Sequence, residues 1–175
     1  MIDLANCPRI ALIGCPGSGK STLARQIAEK TGHPVIHLDY QYWQPGWVPV
    51  PKDEFRAMQE QWVRSERWII DGFYGGTLEL RFAAADLVIF LDLPRLLCAW
   101  RVIRRNGTPR PDLRPGLEQG EGKLSKDYAQ FCWTILRNRR KDQRLLRALH
   151  EKYPGVAFLR LRTRRAVRAF WEGCL

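Results

Sequence analysis

The sequence lacks any apolar run long enough to cross a lipid bilayer. No uninterrupted run is longer than that of Leu87–Leu91, which has five residues, whereas a spanning helix needs about 20. The N-terminus also lacks a basic region followed by an apolar one. We therefore expect neither a membrane span nor a signal peptide, and a cytoplasmic location.

Cysteine is sparse and carries no recognisable pattern. The five cysteines are scattered, with no CxxC pair and no histidine at a partnering distance. They are Cys7, Cys15, Cys98, Cys132 and Cys174. This distribution predicts neither a zinc site nor a disulfide scaffold, and it fits a reducing compartment.

Internal repeats and low-complexity tracts are also missing. A chain of 175 residues is long enough to bury the core of one compact domain. We therefore expect residues 1–175 to form a single domain. The sequence leaves the oligomeric state open between a monomer and a homodimer.

The first half of the chain lacks an excess of positive charge, whereas the second half is strongly basic. Residues 1–94 hold 9 Lys and Arg against 11 Asp and Glu, whereas residues 95–175 hold 20 against 7. Arginine predominates in the basic half, and its planar guanidinium can grip phosphate oxygens in a bidentate manner. Nucleic acid and a nucleoside triphosphate are both candidate partners.

Short apolar segments alternate with helix-period segments along the chain. This alternation is typical of a three-layer α/β/α fold with a parallel sheet, here of five strands. The predicted strands are residues 10–13, 35–38, 68–70, 87–91 and 156–161. The predicted helices are residues 21–31, closed by Gly32, then 53–66, 94–105, about 125–152, and 164–171 with Thr163 as N-cap.

Two stretches interrupt the alternation. Residues 40–52 contain three prolines and the aromatic residues Tyr40, Tyr42, Trp43 and Trp47. These rings either stack on a flat ligand or pack the loop down. Residues 106–122 contain four glycines and three prolines, and we interpret them as a mobile lid segment.

A glycine-rich loop gives the strongest functional signal. The motif GCPGSGKST follows a predicted strand and opens a predicted helix, which is the context of a phosphate-binding P-loop. We expect Lys20 to face solvent in the empty loop and to reach the β- and γ-phosphates of ATP, and Ser21 to bind Mg²⁺. The predicted nucleotide-binding residues are Gly14, Cys15, Pro16, Gly17, Ser18, Gly19, Lys20, Ser21, Thr22 and Arg101.

Acidic residues end two of the predicted strands. Asp71 follows the strand at 68–70, and Asp92 follows the strand at 87–91. Carboxylates at this edge of a parallel sheet lie where ligands bind. We assign a water-mediated magnesium contact to Asp71, whereas Asp92 is at least equally suited to anchor a loop or cap a helix.

The P-loop, the Asp71-Gly72-Phe73 step and the run from Asp92 to Arg105 resemble the nucleoside monophosphate kinases, adenylate kinase included. The resemblance extends over nearly the whole chain. It implies that Arg101 and Arg105 grip the donor nucleotide and the transferring phosphoryl group. Their spacing of four places them on one helix face.

Three segments have a closer resemblance. HLDYQYWQPGW (37–47), RWIIDGFYGGTLELR (67–81) and DLVIFLDLPRLLCAWR (86–101) resemble the adenylate-kinase-like proteins called topology modulation protein FlaR. The name of that family refers to DNA supercoiling, while its motifs are those of a small-molecule kinase.

The residues after Phe73 depart from the adenylate kinase pattern. Adenylate kinases carry Pro-Arg there, and that arginine helps to hold the acceptor phosphate, whereas this chain continues Tyr74-Gly75-Gly76. The glycines and the strand end at Asp39 are similar to shikimate and gluconate kinases, whose acceptors present a hydroxyl. Asp39 is therefore a candidate general base, with a turn-capping aspartate as the alternative, and the neighbouring His37 is better suited to a buried hydrogen bond.

These features together predict an ATP- and Mg²⁺-dependent phosphotransferase that acts on a small molecule. The predicted catalytic residues are Lys20, Arg101, Arg105 and Asp39, and the predicted metal site is Ser21 with Asp71. A lid arginine, Arg110 or Arg114, would neutralise charge on the transferred group. The phosphoryl acceptor would be bound by a segment inserted between two strands of the sheet, at about residues 40–66. The nucleoside monophosphate type of acceptor is slightly favoured over a hydroxyl, and the alternatives from other classes are a regulatory ATPase and a DNA-binding protein.

Overall fold

A computed structural model describes residues 4–105, 107–108, 111–115, 117 and 126–173. The strands are β1 Arg9–Gly14, β2 Val35–His37, β3 Trp43–Gln44, β4 Val48–Pro49, β5 Trp68–Asp71, β6 Leu87–Leu91 and β7 Ala157–Leu161. The α-helices are α1 Lys20–Thr31, α2 Leu38–Tyr42, α3 Lys52–Trp62, α4 Leu78–Ala84, α5 Arg95–Arg104, α6 Lys126–Arg137, α7 Arg139–Lys152 and α8 Arg164–Gly173.

Five strands form one parallel sheet in the order β2-β5-β1-β6-β7. The central strands are apolar except for Arg9 at the start of β1 and Asp71 at the end of β5, as expected of strands covered on both faces. One face packs against Phe55 of α3, Phe82 of α4 and Leu146 of α7. The other packs against Leu23 of α1 and Phe170 of α8. The predicted three-layer α/β/α fold with a five-stranded parallel sheet is confirmed.

Local sequence signals located most of the element ends. Gly32 adopts the left-handed conformation with φ of 71°, and its N–H bonds the Ala28 carbonyl at the end of α1. The Ala166 N–H donates to the Thr163 Oγ1 at 3.0 Å, so Thr163 caps α8 as predicted. Among the described residues, no helix combines the length and the apolar character that a membrane span requires.

The single long helix predicted over about 125–152 is wrong, because the chain forms two helices, α6 and α7, with a turn at Asn138. The backbone of Asn138 has ψ of 0°, and asparagine competes with helical hydrogen bonding through its own side chain. The ion pair between Arg95 of α5 and Asp142 of α7, at 2.7 Å, anchors α7 independently of α6.

Several short elements were not predicted. They are α2, α4 and the antiparallel hairpin formed by β3 and β4. Elements of two to seven residues contain too few periods for a hydrophobic pattern to show. Most of the predicted lid at 106–122 lies outside the described residues, which cover 107–108, 111–115 and 117 of it.

Candidate active site

Polar residues meet where three neighbouring strands end. Gly14 ends β1, Asp71 ends β5 and His37 ends β2. The sheet register pairs Asp71 with Leu12 on one side and with His37 on the other. The site therefore lies at the carboxyl edge of the sheet, where parallel α/β folds bind ligands.

The loop after β1 is held in a compact turn by its glycines. Gly17 has φ of 80°, and a Cβ there would lie 2.3 Å from the Cys98 carbonyl oxygen of α5. A Cβ at Gly14 would lie 2.7 Å from the Ser18 Oγ. Glycine at 17 thus lets the loop pack directly against α5, and glycine at 14 leaves room for Ser18 and for Leu91 of β6.

Lys20, the first residue of α1, is 8% exposed, so the expectation that it faces solvent is wrong. The loop before it turns back on itself, as shown by the 3.1 Å bond from the Ser18 N–H to the Cys15 carbonyl, and encloses the helix start. Lys20 makes no hydrogen bond or ion pair with any residue in the part of the chain that the structure describes. A buried cation of this kind is costly without an anion beside it.

The Cys15 thiol shares this electropositive environment. A hydrogen bond with Cys98 and the charges of Arg95 and Lys20 lower the pKa of Cys15 to about 7, although its burial works in the opposite direction. The hydrogen bond is the largest of these causes, and the two charges add to it. Positive charge beside the loop also favours a bound phosphate.

Two carboxylates converge on the Ser21 hydroxyl. The Ser21 Oγ lies 2.6 Å from the Asp71 Oδ2 and 3.0 Å from the Asp112 Oδ2. The other Asp71 oxygen is hydrogen-bonded to the His37 Nδ1, which agrees with the buried role suggested for His37. A hydroxyl with carboxylate oxygens is the hard-oxygen donor set that Mg²⁺ prefers, so the residues fit a magnesium ion.

The two arginines predicted on α5 have different surroundings. The Arg101 Nη1 donates to the Gly17 carbonyl at 3.3 Å, which places its guanidinium against the P-loop. Arg105 caps the C-terminal end of α5, and its charge acts on the Tyr128 hydroxyl of α6. Thr22 is exposed on the first turn of α1.

Asp92 serves as an anchor for basic side chains. Its carboxylate is buried and accepts hydrogen bonds from Arg160 at 2.6 Å and Arg139 at 3.3 Å, with a third from Gln143 at 3.0 Å. Burial favours a raised pKa for Asp92, but the hydrogen bonds from Arg160 and Arg139 outweigh it, and the pKa lies below its usual value. Asp92 therefore has the anchoring geometry considered for it from the sequence.

Asp39, the candidate general base, lies in the first turn of α2 and accepts a 2.7 Å hydrogen bond from the Tyr74 hydroxyl. Burial, and then the charge of Asp39, raise the pKa of Tyr74, so Tyr74 remains a donor. Tyr74 itself is fixed by edge contacts with Tyr42 and by its tilted packing on Phe55.

The loop after Asp71 is held by Arg81 of α4, which is fully buried. Its guanidinium donates to the Gly72 and Phe73 carbonyls, each at 2.7 Å. Sequence reasoning missed Arg81, Tyr74 and Asp112. Nothing in the spacing of Arg81 distinguishes it from a solvent-facing helical arginine, and only its burial shows its role.

Most aromatic rings of residues 40–52 pack against other aromatic rings. Tyr42 contacts Phe55 with ring centroids 4.8 Å apart, and Trp43 contacts Trp47 at 5.4 Å. Tyr40 is 37% exposed, and the Arg114 guanidinium lies 5.4 Å from its ring while the Arg114 Nε donates to its carbonyl at 2.9 Å. The other predicted lid arginine, Arg110, lies outside the described residues.

Comparisons with known proteins agree with this architecture. The profile of the family "ATPase family associated with various cellular activities (AAA)" matches residues 10–92, which span the P-loop, Asp71 and Asp92. A search of curated protein sequences found no significant match.

Two solved structures are similar to the chain over almost its full length. The shikimate kinase from Acinetobacter baumannii in complex with shikimate is 19% identical, with 97% of this chain and 92% of that chain covered and a TM-score of 0.57. The shikimate kinase from Bacteroides thetaiotaomicron is 18% identical, with coverage of 95% and 96% and a TM-score of 0.50. The chain therefore has the fold of P-loop kinases.

Proposed function

We propose that this protein is an ATP- and Mg²⁺-dependent phosphotransferase that acts on a small molecule. The observation that carries the proposal is Lys20, a buried cation that has no partner among the described residues and stands at the start of α1. An anion bound within the loop would provide the missing charge, and the N–H groups at the helix N-terminus favour the phosphates of a nucleotide.

The other candidate residues at the carboxyl edge of the sheet have roles that follow from their positions. Ser21 and Asp71 would hold Mg²⁺, which would offset the negative charge of the phosphates. Arg101, against the Gly17 carbonyl, lies where it can turn toward the transferring phosphoryl group. Arg105, one helical turn on, would assist it, as the resemblance to nucleoside monophosphate kinases implies.

Four arginines of the basic half bind groups of the domain itself, whereas others, among them Arg144 and Arg165, are exposed. Arg101 contacts the P-loop, Arg95 pairs with Asp142, and Arg139 and Arg160 hold Asp92. A nucleic-acid-binding surface needs such residues spread over an exposed face. The four arginines that bind groups of the domain favour the kinase, and the exposed ones keep a DNA-binding protein as the alternative. The closer resemblance to the FlaR proteins stays an interpretation of three segments.

The acceptor side favours a hydroxyl as the attacking group. Asp39 follows β2, which is two strands from β1 in the sheet, so it lies roughly 10 Å along the edge from the loop. This gap has room for a phosphoryl group and a small acceptor. A carboxylate there can take the proton of an attacking hydroxyl, whereas it repels an ionised phosphate acceptor.

A nucleoside monophosphate as acceptor is the second candidate, because the motif order resembles those kinases. Such an acceptor needs a cation for its phosphate. Arg81, which follows the Gly72–Gly76 turn in the sequence, is occupied by the Gly72 and Phe73 carbonyls. Arg114, beside the exposed ring of Tyr40, is the described residue that would supply that charge.

The test is an ADP-formation assay with purified protein, ATP and MgCl₂, run against a panel of hydroxylated metabolites, nucleosides and nucleoside monophosphates. ADP formation that depends on one acceptor class supports the proposal and identifies that class. Equal ADP formation without any acceptor would indicate an ATPase. Failure to bind ATP in a calorimetric titration would overturn the proposal as a whole.

A further inference from the structure

Asp112 lies in the connection between α5 and α6, far in sequence from the rest of the candidate metal site. It is 5% exposed, and its Oδ2 lies 3.0 Å from the Ser21 Oγ. Asp71 is 4% exposed, and its Oδ2 lies 2.6 Å from the same oxygen. The described part of the α5–α6 connection thus brings a second buried carboxylate to the hydroxyl predicted to bind Mg²⁺.

The Ser21 hydroxyl cannot satisfy both carboxylates by itself. A serine hydroxyl has one hydrogen, so it donates to one oxygen at a time. Both carboxylates lie close enough to the Ser21 oxygen to share a ligand with it.

Lys20 is the independent observation that points to a ligand. It is buried and lacks an anionic partner among the described residues, while two carboxylates approach each other one residue further along the chain, at Ser21. A phosphate chain with a bound divalent cation would fit both features, because Lys20 would bind the phosphate and the carboxylates are hard-oxygen ligands of the kind such a cation prefers. No monovalent anion alone would do so.

We propose that Asp112 is a third side chain of the magnesium site, acting with Ser21 and Asp71. The inference rests on the proposed function, since it takes the loop to hold a metal–nucleotide complex. It extends that function by assigning a metal-binding carboxylate to the segment over the P-loop. Two residues on, the Arg114 Nε donates to the Tyr40 carbonyl at 2.9 Å, so the segment that meets the metal also contacts the acceptor side.

The experiment measures metal affinity directly in the full-length protein. Mn²⁺ replaces Mg²⁺, and electron paramagnetic resonance counts the free ion during titrations with Mn²⁺ alone and with Mn²⁺ in the presence of saturating ADP. Wild type is compared with Asp112→Asn and Asp71→Asn. The matched control is Asp53→Asn, an exposed aspartate in the first turn of α3.

We expect Asp112→Asn to weaken Mn²⁺ binding about tenfold or more in the presence of ADP, as changes around metal ligands do, with ADP affinity in the absence of metal unchanged. Asp71→Asn should have a similar or larger effect, and the control none. Circular dichroism and the metal-free ADP affinity verify that each variant is folded.

The alternative outcomes separate this inference from the proposed function. If Asp112→Asn binds Mn²⁺ as well as wild type while Asp71→Asn does not, Asp112 is not part of the site and the proposed function stands. If wild type binds ADP but no Mn²⁺ in either titration, the inference is wrong and the metal assignment fails. If wild type binds neither, the proposed function fails with it.

Discussion

The Tyr74 hydroxyl donates a 2.7 Å hydrogen bond to the Asp39 carboxylate. The bond joins the loop after β5 to the first turn of α2, and it orients one Asp39 oxygen. A carboxylate that accepts one hydrogen bond is held in place yet still able to take a proton.

Asp39→Asn should lower kcat on a hydroxyl acceptor about a hundredfold or more, because the amide keeps the shape but cannot accept the proton. Tyr74→Phe should have a smaller effect, since it removes the orienting bond and leaves the base. Steady-state kinetics with the acceptor found in the panel provide the measurement, and Asp53→Asn is the control. A near-normal kcat for Asp39→Asn on a hydroxyl acceptor would remove Asp39 from the catalytic residues.

Lys20→Met should abolish measurable phosphoryl transfer, with a loss of at least about a hundredfold in kcat, because the phosphates lose the charge that stabilises the transition state. Since the same change removes a buried, unpaired charge, the Tm without nucleotide should stay equal or rise. Lys30→Ala, at the exposed end of α1, is the matched control. Turnover near the wild-type rate in Lys20→Met would contradict the proposed function.

Arg101→Ala should reduce kcat by roughly a hundredfold while ATP affinity changes much less, because a charge that meets the transferring group counts mostly in the transition state. Arg105→Ala should act in the same direction. Arg104→Ala is the control, because it removes an exposed arginine stacked on Trp100 of the same helix. It should leave kcat and ATP affinity unchanged. Calorimetry and initial rates give the two quantities, and equal rates for all three variants would place Arg101 and Arg105 outside the reaction.

Asp92→Asn should lower the free energy of unfolding at pH 7 by about 2 kcal/mol, the value of hydrogen bonds to a charged group. The pKa of Asp92 is lowered in the folded protein, so its contribution is complete above the unfolded pKa of about 4 and disappears as the pH falls through the folded value. The difference in stability between the two proteins should therefore begin to shrink below about pH 4 and vanish only below the folded pKa of Asp92.

Urea unfolding at pH 7 and pH 3.5 tests the Asp92 prediction. Glu60→Gln, which breaks the exposed Arg56–Glu60 pair, should change stability by no more than about 0.5 kcal/mol at either pH. A difference between wild type and Asp92→Asn that stays constant across the pH range would show that the ionised carboxylate is not what stabilises the fold.

The strands and helices that form the three layers could be predicted from the sequence, because each element depends on residues that are close together in the chain. The glycines and Lys20 of the P-loop, the apolar strands and the cap residues Gly32 and Thr163 each carry their signal within a few neighbouring positions. Backbone conformation and burial periodicity are properties of such short windows. The parallel sheet follows from their alternation.

Only the tertiary structure decided which side chains contact one another in and around the site. Asp112 meets Ser21 across 91 positions of sequence, and Asp92 meets Arg160 across 68. No spacing rule covers such distances, because the contacts depend on how α5, α7 and β7 pack around the sheet. The same packing encloses Lys20, which the sequence alone had placed in solvent, since a loop pattern specifies the turn but not what closes over it.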